Sequence, residues 1–166
     1  MKIIFLHGLE STPETSNTGK YLKSKIPDLL IPDYGPSTND FETIKNFFKE
    51  YFDKDEDYIV IGTSIGGFWS LKLTEFTNVY KIIMINPAIT RACERYNTSM
   101  NINNDIIGHM ILNKDDNIID NQENYNNYIN RFHITTFENG GHQCTNIDEI
   151  FNEIFVSIEF MSFWVP

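Results

Sequence analysis

The chain has 166 residues, 41% of them hydrophobic and 14% aromatic, proportions of a globular protein long enough to bury about two-thirds of its unfolded surface. Its 23 acidic and 13 basic side chains give a formal charge of −10, which repels phosphate backbones and anionic lipid and excludes nucleic acid as an expected partner. No window approaches the run of about 18 apolar residues needed for a membrane span.

In chain order, short apolar runs flanked by Gly, Pro, Asn or Asp predict strands at Lys2–Leu6, Leu29–Ile31, Tyr58–Ile61, Lys81–Ile85, His109–Leu112 and Phe132–Phe137. Between them, spacing or length predicts helices over Thr18–Ser24, Asn39–Phe52, Ile65–Phe76, Asp120–Asn130 and Ile147–Phe160. The alternation predicts an α/β fold in one domain over residues 1–166, a three-layer sandwich around a mostly parallel sheet of about six strands. The second strand is expected at one edge, followed by the first, third, fourth, fifth and sixth. The topological switch point then falls between the first and third, where open sheets bind ligands. Ile89–Asp105 is a polar interruption of the pattern, open between loop, short helix and reduced lid. The aromatic tail Phe160–Val165 is expected to close the core, with a homodimer contact as the alternative.

Cys93 and Cys144 lie far apart without a CxxC or Cys/His ligand spacing, so reduced thiols in a cytoplasmic protein are expected. The apolar run Ile3–Leu6 is too short for the hydrophobic segment of a signal peptide.

The strand at Tyr58–Ile61 runs into Gly62-Thr63-Ser64-Ile65-Gly66 and then into a helix. Gly-x-Ser-x-Gly in that setting lifts a serine hydroxyl above a sheet on a sharp turn, the geometry of an alcohol nucleophile. Such a hydroxyl needs a base. His142 follows the Glu138–Gly141 loop, between the last strand and the last helix, where chain order places the base of a Ser, acid, His set. His7 precedes Gly8 at the end of the first strand and is read as a structural ring. Its loop supplies the backbone N–H of Leu9, which with that of Ile65 forms the expected oxyanion hole. His109 and His133 fall inside strands and are read as structural. Asp115 and Asp116 are adjacent candidates for the acid, and the residues alone leave both open.

His7-Gly8-Leu9-Glu10-Ser11-Thr12-Pro13, Gly62-Thr63-Ser64-Ile65-Gly66-Gly67, Asn86-Pro87-Ala88-Ile89, Asp116-Asn117-Ile118-Ile119-Asp120 and Gly140-Gly141-His142 together resemble the YqiA-like esterase family, small α/β-hydrolases, over essentially the whole chain. The resemblance implies a catalytic triad of Ser64, Asp116 and His142. It also implies hydrolysis of small-molecule carboxylic esters or acyl thioesters without a metal or organic cofactor. Two departures, a shorter stretch between Ala88 and Asp116 and Cys144 two residues after the histidine, fall where acyl selectivity is set. The same residues would serve an amidase or acyltransferase, and a binding module without turnover is the rival from another class.

Overall fold

The computed structural model describes residues 1–102 and 105–159. Strands β1 (Lys2–Leu6), β2 (Tyr58–Thr63), β3 (Val79–Ile85), β4 (Ile107–Asn113) and β5 (His133–Phe137) form one parallel sheet in the order β1-β2-β3-β4-β5. Among the described residues the sheet thus has five strands where about six were expected. The predicted strand at Leu29–Ile31 is reduced to a single parallel bridge, Ile4 to Leu30, on the outer edge of β1. Two backbone hydrogen bonds make it, Phe5 N to Leu30 O at 2.8 Å and Leu30 N to Ile3 O at 3.0 Å. Pro27 and Pro32 bracket the segment, and a residue with no N–H and a fixed φ stops a ladder from lengthening. The path still runs outward from β1 to this bridge and back to β2 on the other side. The switch point therefore lies between β1 and β2.

Period-two alternation sends the two faces of the sheet to different helices. Phe5, Ile59, Ile61, Ile83, Ile85 and Ile111 pack with α1 (Asn17–Lys25) and α6 (Ile147–Glu159) through Leu22, Ile150 and Ile154. On the other face Ile4, Leu6, Tyr58 and Val60 meet α2 (Phe41–Tyr51), α3 (Ile65–Leu73) and α4 (Ile89–Tyr96) through Ile44, Phe48, Phe68, Trp69 and Tyr96. Every residue of α3 is buried, as expected of a helix apolar all round beneath a second layer. The first part of the interruption at 89–105 forms α4, which ends at Asn97 in the left-handed region (φ 47°, ψ 52°), while residues 103–104 lie outside the described residues.

Three of the helices start on side-chain caps. Ser16 accepts from Gly19 N, Asp40 from Glu42 N and Thr43 N, and Asp120 from Glu123 N ahead of α5 (Asn121–Tyr128). Each such cap stabilises its helix by about 1 kcal/mol. Among the described residues no helix is long and apolar enough to cross a membrane. The aromatic tail at 160–165 lies outside the described residues.

Candidate active site

Ser64 stands between β2 and α3 at φ 54°, ψ −120°, a backbone state that a residue with a Cβ rarely adopts. The strain is held in place from several directions. Ser64 N donates to Ile85 O at 3.0 Å, and Ser64 O accepts from Gly67 N at 3.0 Å and Ala88 N at 2.9 Å. The flanking glycines are required by contact: a Cβ on Gly62 would stand 2.2 Å from Gly66 O, and one on Gly66 would stand 2.1 Å from Leu6 O. Any side chain at either position would push strand and helix apart. The Ser64 hydroxyl does not cap its own helix.

Asp116 follows β4, and His142 follows the turn after β5, so two neighbouring parallel strands deliver them to the same rim. His142 Nδ1 lies 2.8 Å from Asp116 Oδ2. The other carboxylate oxygen of Asp116 accepts from Ile118 N at 2.8 Å and Ile119 N at 2.9 Å. Burial by itself would raise this carboxyl's pKa, but the His142 ring and the N–H groups of Ile119 and Ile118 outweigh it and hold the group below the ordinary aspartate value. An ionised acid beneath the ring selects the tautomer protonated at Nδ1, which leaves Nε2 as the basic nitrogen.

Asp115 is exposed but not idle. Its carboxylate accepts from Gly141 N at 2.7 Å and Gly140 N at 3.2 Å. The two adjacent acids thus divide the work, one on the ring and one on the backbone turn that presents it.

Beneath this rim lies a network of buried asparagines that sequence reasoning did not identify. Asn86, directly after β3, is fully buried at φ 43°. Its Oδ1 accepts from Asn113 N and from Asn121 Nδ2, both at 2.8 Å, and its Nδ2 donates to Gly141 O at 3.2 Å. Asn113 Nδ2 donates to the same Gly141 carbonyl at 2.9 Å. The carbonyl before His142 is therefore held from below while Asp115 holds the N–H groups above. The available signal was an asparagine at the carboxyl end of β3 and another at the end of β4, in a chain whose many asparagines hid them.

A cleft of about 440 Å³ opens at the switch point, with Gly8, Leu9, Ser11, Ser64, Ile118 and His142 on its lining. Gly8 O accepts from Ser11 Oγ at 3.0 Å and lies 3.1 Å from His7 Nδ1. Because the peptide is planar and trans, pinning this carbonyl turns the Leu9 N–H to the opposite side. The pinned Ser64 carbonyl orients the Ile65 N–H in the same manner, and as the first residue of α3 Ile65 has no carbonyl of its own helix to bond. The fully buried His7 ring, its pKa lowered by burial, is thus part of the scaffold of the Leu9 loop.

Cys144 is also buried, two residues past His142. Burial first, then the nearby Asp116 carboxylate, pushes its thiol up to about 12, so it is an uncharged packing group. His109 is buried and fully bonded, with Nδ1 2.7 Å from Ser157 Oγ and Nε2 2.9 Å from Thr135 Oγ1. His133, expected to be structural as well, is exposed on the edge strand.

The fold recurs in solved structures. Alpha/beta hydrolase domain-containing protein 10 from mouse superposes with a TM-score of 0.73 at 14% identity, over 96% of this chain and 90% of that one. Est1E from Butyrivibrio proteoclasticus gives 0.74 at 12% identity, over 96% and 86%. At such identities the likeness establishes the α/β-hydrolase fold. Among curated proteins no sequence is significantly similar. A family model matches residues 2–105, from β1 through the Ser64 elbow and α4 but short of Asp116 and His142, and by that match the chain belongs to UPF0227, a family uncharacterised in function, in agreement with the YqiA-like resemblance of its motifs.

Proposed function

We propose that the protein is a serine hydrolase acting on small carboxylic esters or acyl thioesters, with Ser64 as nucleophile, His142 as general base and Asp116 as the acid that orients it. The observation that carries this reading is the 2.8 Å contact between His142 and a buried Asp116 on the rim of the cleft that also holds Ser64 on its strained elbow. Residues 1–166 are read as a single hydrolase domain.

In this mechanism His142 Nε2 takes the Ser64 proton as Oγ attacks the acyl carbon. The imidazolium so formed is stabilised by the Asp116 carboxylate. The oxyanion is received by the N–H groups of Leu9 and Ile65, whose peptides are already fixed by the bonds to Gly8 O and Ser64 O. His142 then returns the proton to the leaving alcohol or thiol, and water clears the acyl-enzyme by the same steps in reverse. No step calls for a metal or organic cofactor.

The cleft is modest, its lining mixes Glu10, Ser11, Asn17 and Gln143 with Leu9 and Ile118, and among the described residues no long insertion covers it. Short acyl groups fit this better than fatty ones. A fluorophosphonate probe, followed by aryl esters from acetyl to palmitoyl, tests the whole reading: wild type is labelled and hydrolyses the short esters, and Ser64→Ala does neither. An unlabelled but folded wild type would reduce the fold to a binding module, and efficiency rising steadily to palmitoyl would overturn the acyl preference.

A further inference from the structure

On the α6 side of the sheet, well below the rim, three metal-binding side chains from three different elements converge. His109 lies in β4 and His133 opens β5. They are register partners in the parallel ladder, so both rings leave the same face, with centroids 4.6 Å apart. Glu153 reaches them from α6, its Oε2 3.9 Å from His109 Nε2. One ligand atom from each residue can be chosen so that all three lie within 4.8 Å of one another. Four residues separate His109 from the end of β4 at Asn113, a rise of about 13 Å along a strand. The cluster is therefore separate from Ser64 and its partners.

We propose that His109 Nε2, the His133 imidazole and the Glu153 carboxylate bind one divalent transition-metal ion of the zinc type, which fastens the edge strand β5 to β4 and α6. Two imidazoles and a carboxylate suit zinc, cobalt or nickel and disfavour calcium and magnesium, which prefer all-oxygen shells. A fourth, solvent-side position is left for water.

The supporting shell is present as well. Ser157 Oγ lies 2.7 Å from His109 Nδ1, and Thr135 Oγ1 donates to Glu153 Oε2 at 3.0 Å. Ser157 Oγ is able to accept from Nδ1 and so supports the tautomer that binding requires, with the Nε2 lone pair facing the ion, and a bonded carboxylate is held in position. Because Thr135 gives its one hydroxyl proton to Glu153, its Oγ1 accepts from His109 Nε2–H at 2.9 Å in the ion-free protein; binding moves the ring proton to Nδ1 and exchanges the Thr135 contact for the metal, with the imidazole neutral before and after. Burial, with His133 and Lys81 adding to it, lowers the His109 pKa to about 4, so the ring is unprotonated and available at neutral pH.

In a tetrahedral shell, ligand atoms each about 2.1 Å from the ion stand about 3.4 Å apart, so a pair at the 4.8 Å limit must close by roughly 1.4 Å. The exposed His133 ring can make that movement. Lys81 is the opposing charge. Its Nζ donates to Ser157 O at 2.6 Å, which fixes the ammonium on the helix backbone. β5 has no fully buried residue and leads directly into the turn that carries His142, so an ion here would steady the approach to the cleft without entering it.

The test uses the full chain after chelator treatment and gel filtration. Equilibrium dialysis with zinc, the visible spectrum with cobalt, and thermal unfolding with and without zinc are compared for wild type, His133→Ala, Glu153→Gln and His142→Ala. Wild type is expected to bind one equivalent, to show the strong visible absorption of tetrahedral cobalt and to unfold at a higher temperature with zinc. His133→Ala removes a ligand and should weaken binding by more than the roughly 10–100-fold that loss of a supporting contact costs. Glu153→Gln should weaken it too, and His142→Ala should leave it unchanged. Absence of binding by folded wild type, equal binding by His133→Ala, or loss of binding in His142→Ala would each overturn the assignment. The last would place the ion on the His142–Asp116 pair.

Discussion

Two imidazole–carboxylate pairs in this molecule have inverted burial. At the rim, the Asp116 side chain is fully buried and the His142 ring is 15% exposed. Under α6, His109 is 4% exposed while its partner Glu153 is 34% exposed. A buried acid beneath an accessible ring fixes the ring's orientation and leaves its far nitrogen free to face the cleft. A buried ring beneath an accessible acid is instead committed on both nitrogens, to Ser157 and Thr135, and kept neutral. In the proposed readings the same residue types thus serve proton transfer in one place and a packed polar link open to a metal ion in the other.

The largest expected separation between the pairs is in turnover. Asp116→Asn can keep the bonds to Ile118 N and Ile119 N through its Oδ1, but it presents an N–H to His142 Nδ1 and so favours the wrong tautomer. In a serine protease the equivalent loss costs about 10⁴ in kcat. A fall of at least about 10² is expected here, measured on a short aryl ester. Glu153→Gln, the matching change in the second pair, should leave kcat near wild type. Equal losses from both would erase the distinction.

Stability should respond most to the asparagine network under the first pair. Asn86→Ala leaves the N–H of Asn113 and one N–H of Asn121 without their acceptor, and removes a donor to Gly141 O. Unsatisfied buried groups cost about 1–3 kcal/mol each, so a loss of about 2–4 kcal/mol is expected by urea unfolding. A value below about 0.5 kcal/mol would mean that water replaces the side chain.

The second pair should appear in the acid limb of stability. Folding lowers the His109 pKa from 6.5 to about 4. Between those values the unfolded chain binds a proton that the folded chain does not, so this contribution is present above about pH 6.5 and is lost as pH falls toward 4. Lys81, His133 and Glu153 face the same ring. In metal-free protein His109→Gln should flatten the pH dependence of unfolding free energy across this window, and an unchanged slope would assign it elsewhere.

The smallest effect concerns the neighbour of the orienting acid. Asp115→Asn removes charge from the bonds to Gly140 N and Gly141 N while keeping one acceptor oxygen. A loss of about 1 kcal/mol is expected, read as a several-fold fall in kcat with KM nearly unchanged. A loss matching that of Asp116→Asn would show that the turn, and not the ring contact, controls the base.

The elements that form the candidate site were legible because they rest on local rules. A buried apolar strand, a Gly-x-Ser-x-Gly turn and a following helix are contiguous in the chain, and the order Ser64, Asp116, His142 is a one-dimensional pattern. Alternation of strand and helix was enough for the layered α/β fold and for the side of the sheet on which the cleft opens. Tertiary structure decided what depends on separate segments meeting. The segment at Leu29–Ile31 has strand composition, yet its flanking prolines leave it one bridge on β1. Asn86, Asn113 and Asn121 are ordinary polar residues until the β3, β4 and β5 ends come together and bury them around the Gly141 carbonyl. Asp115 and Asp116 are the same residue type side by side. Only the register of β4 against β5 sends one carboxylate to a ring and the other to a backbone turn, because that register fixes where the loop after β5 returns.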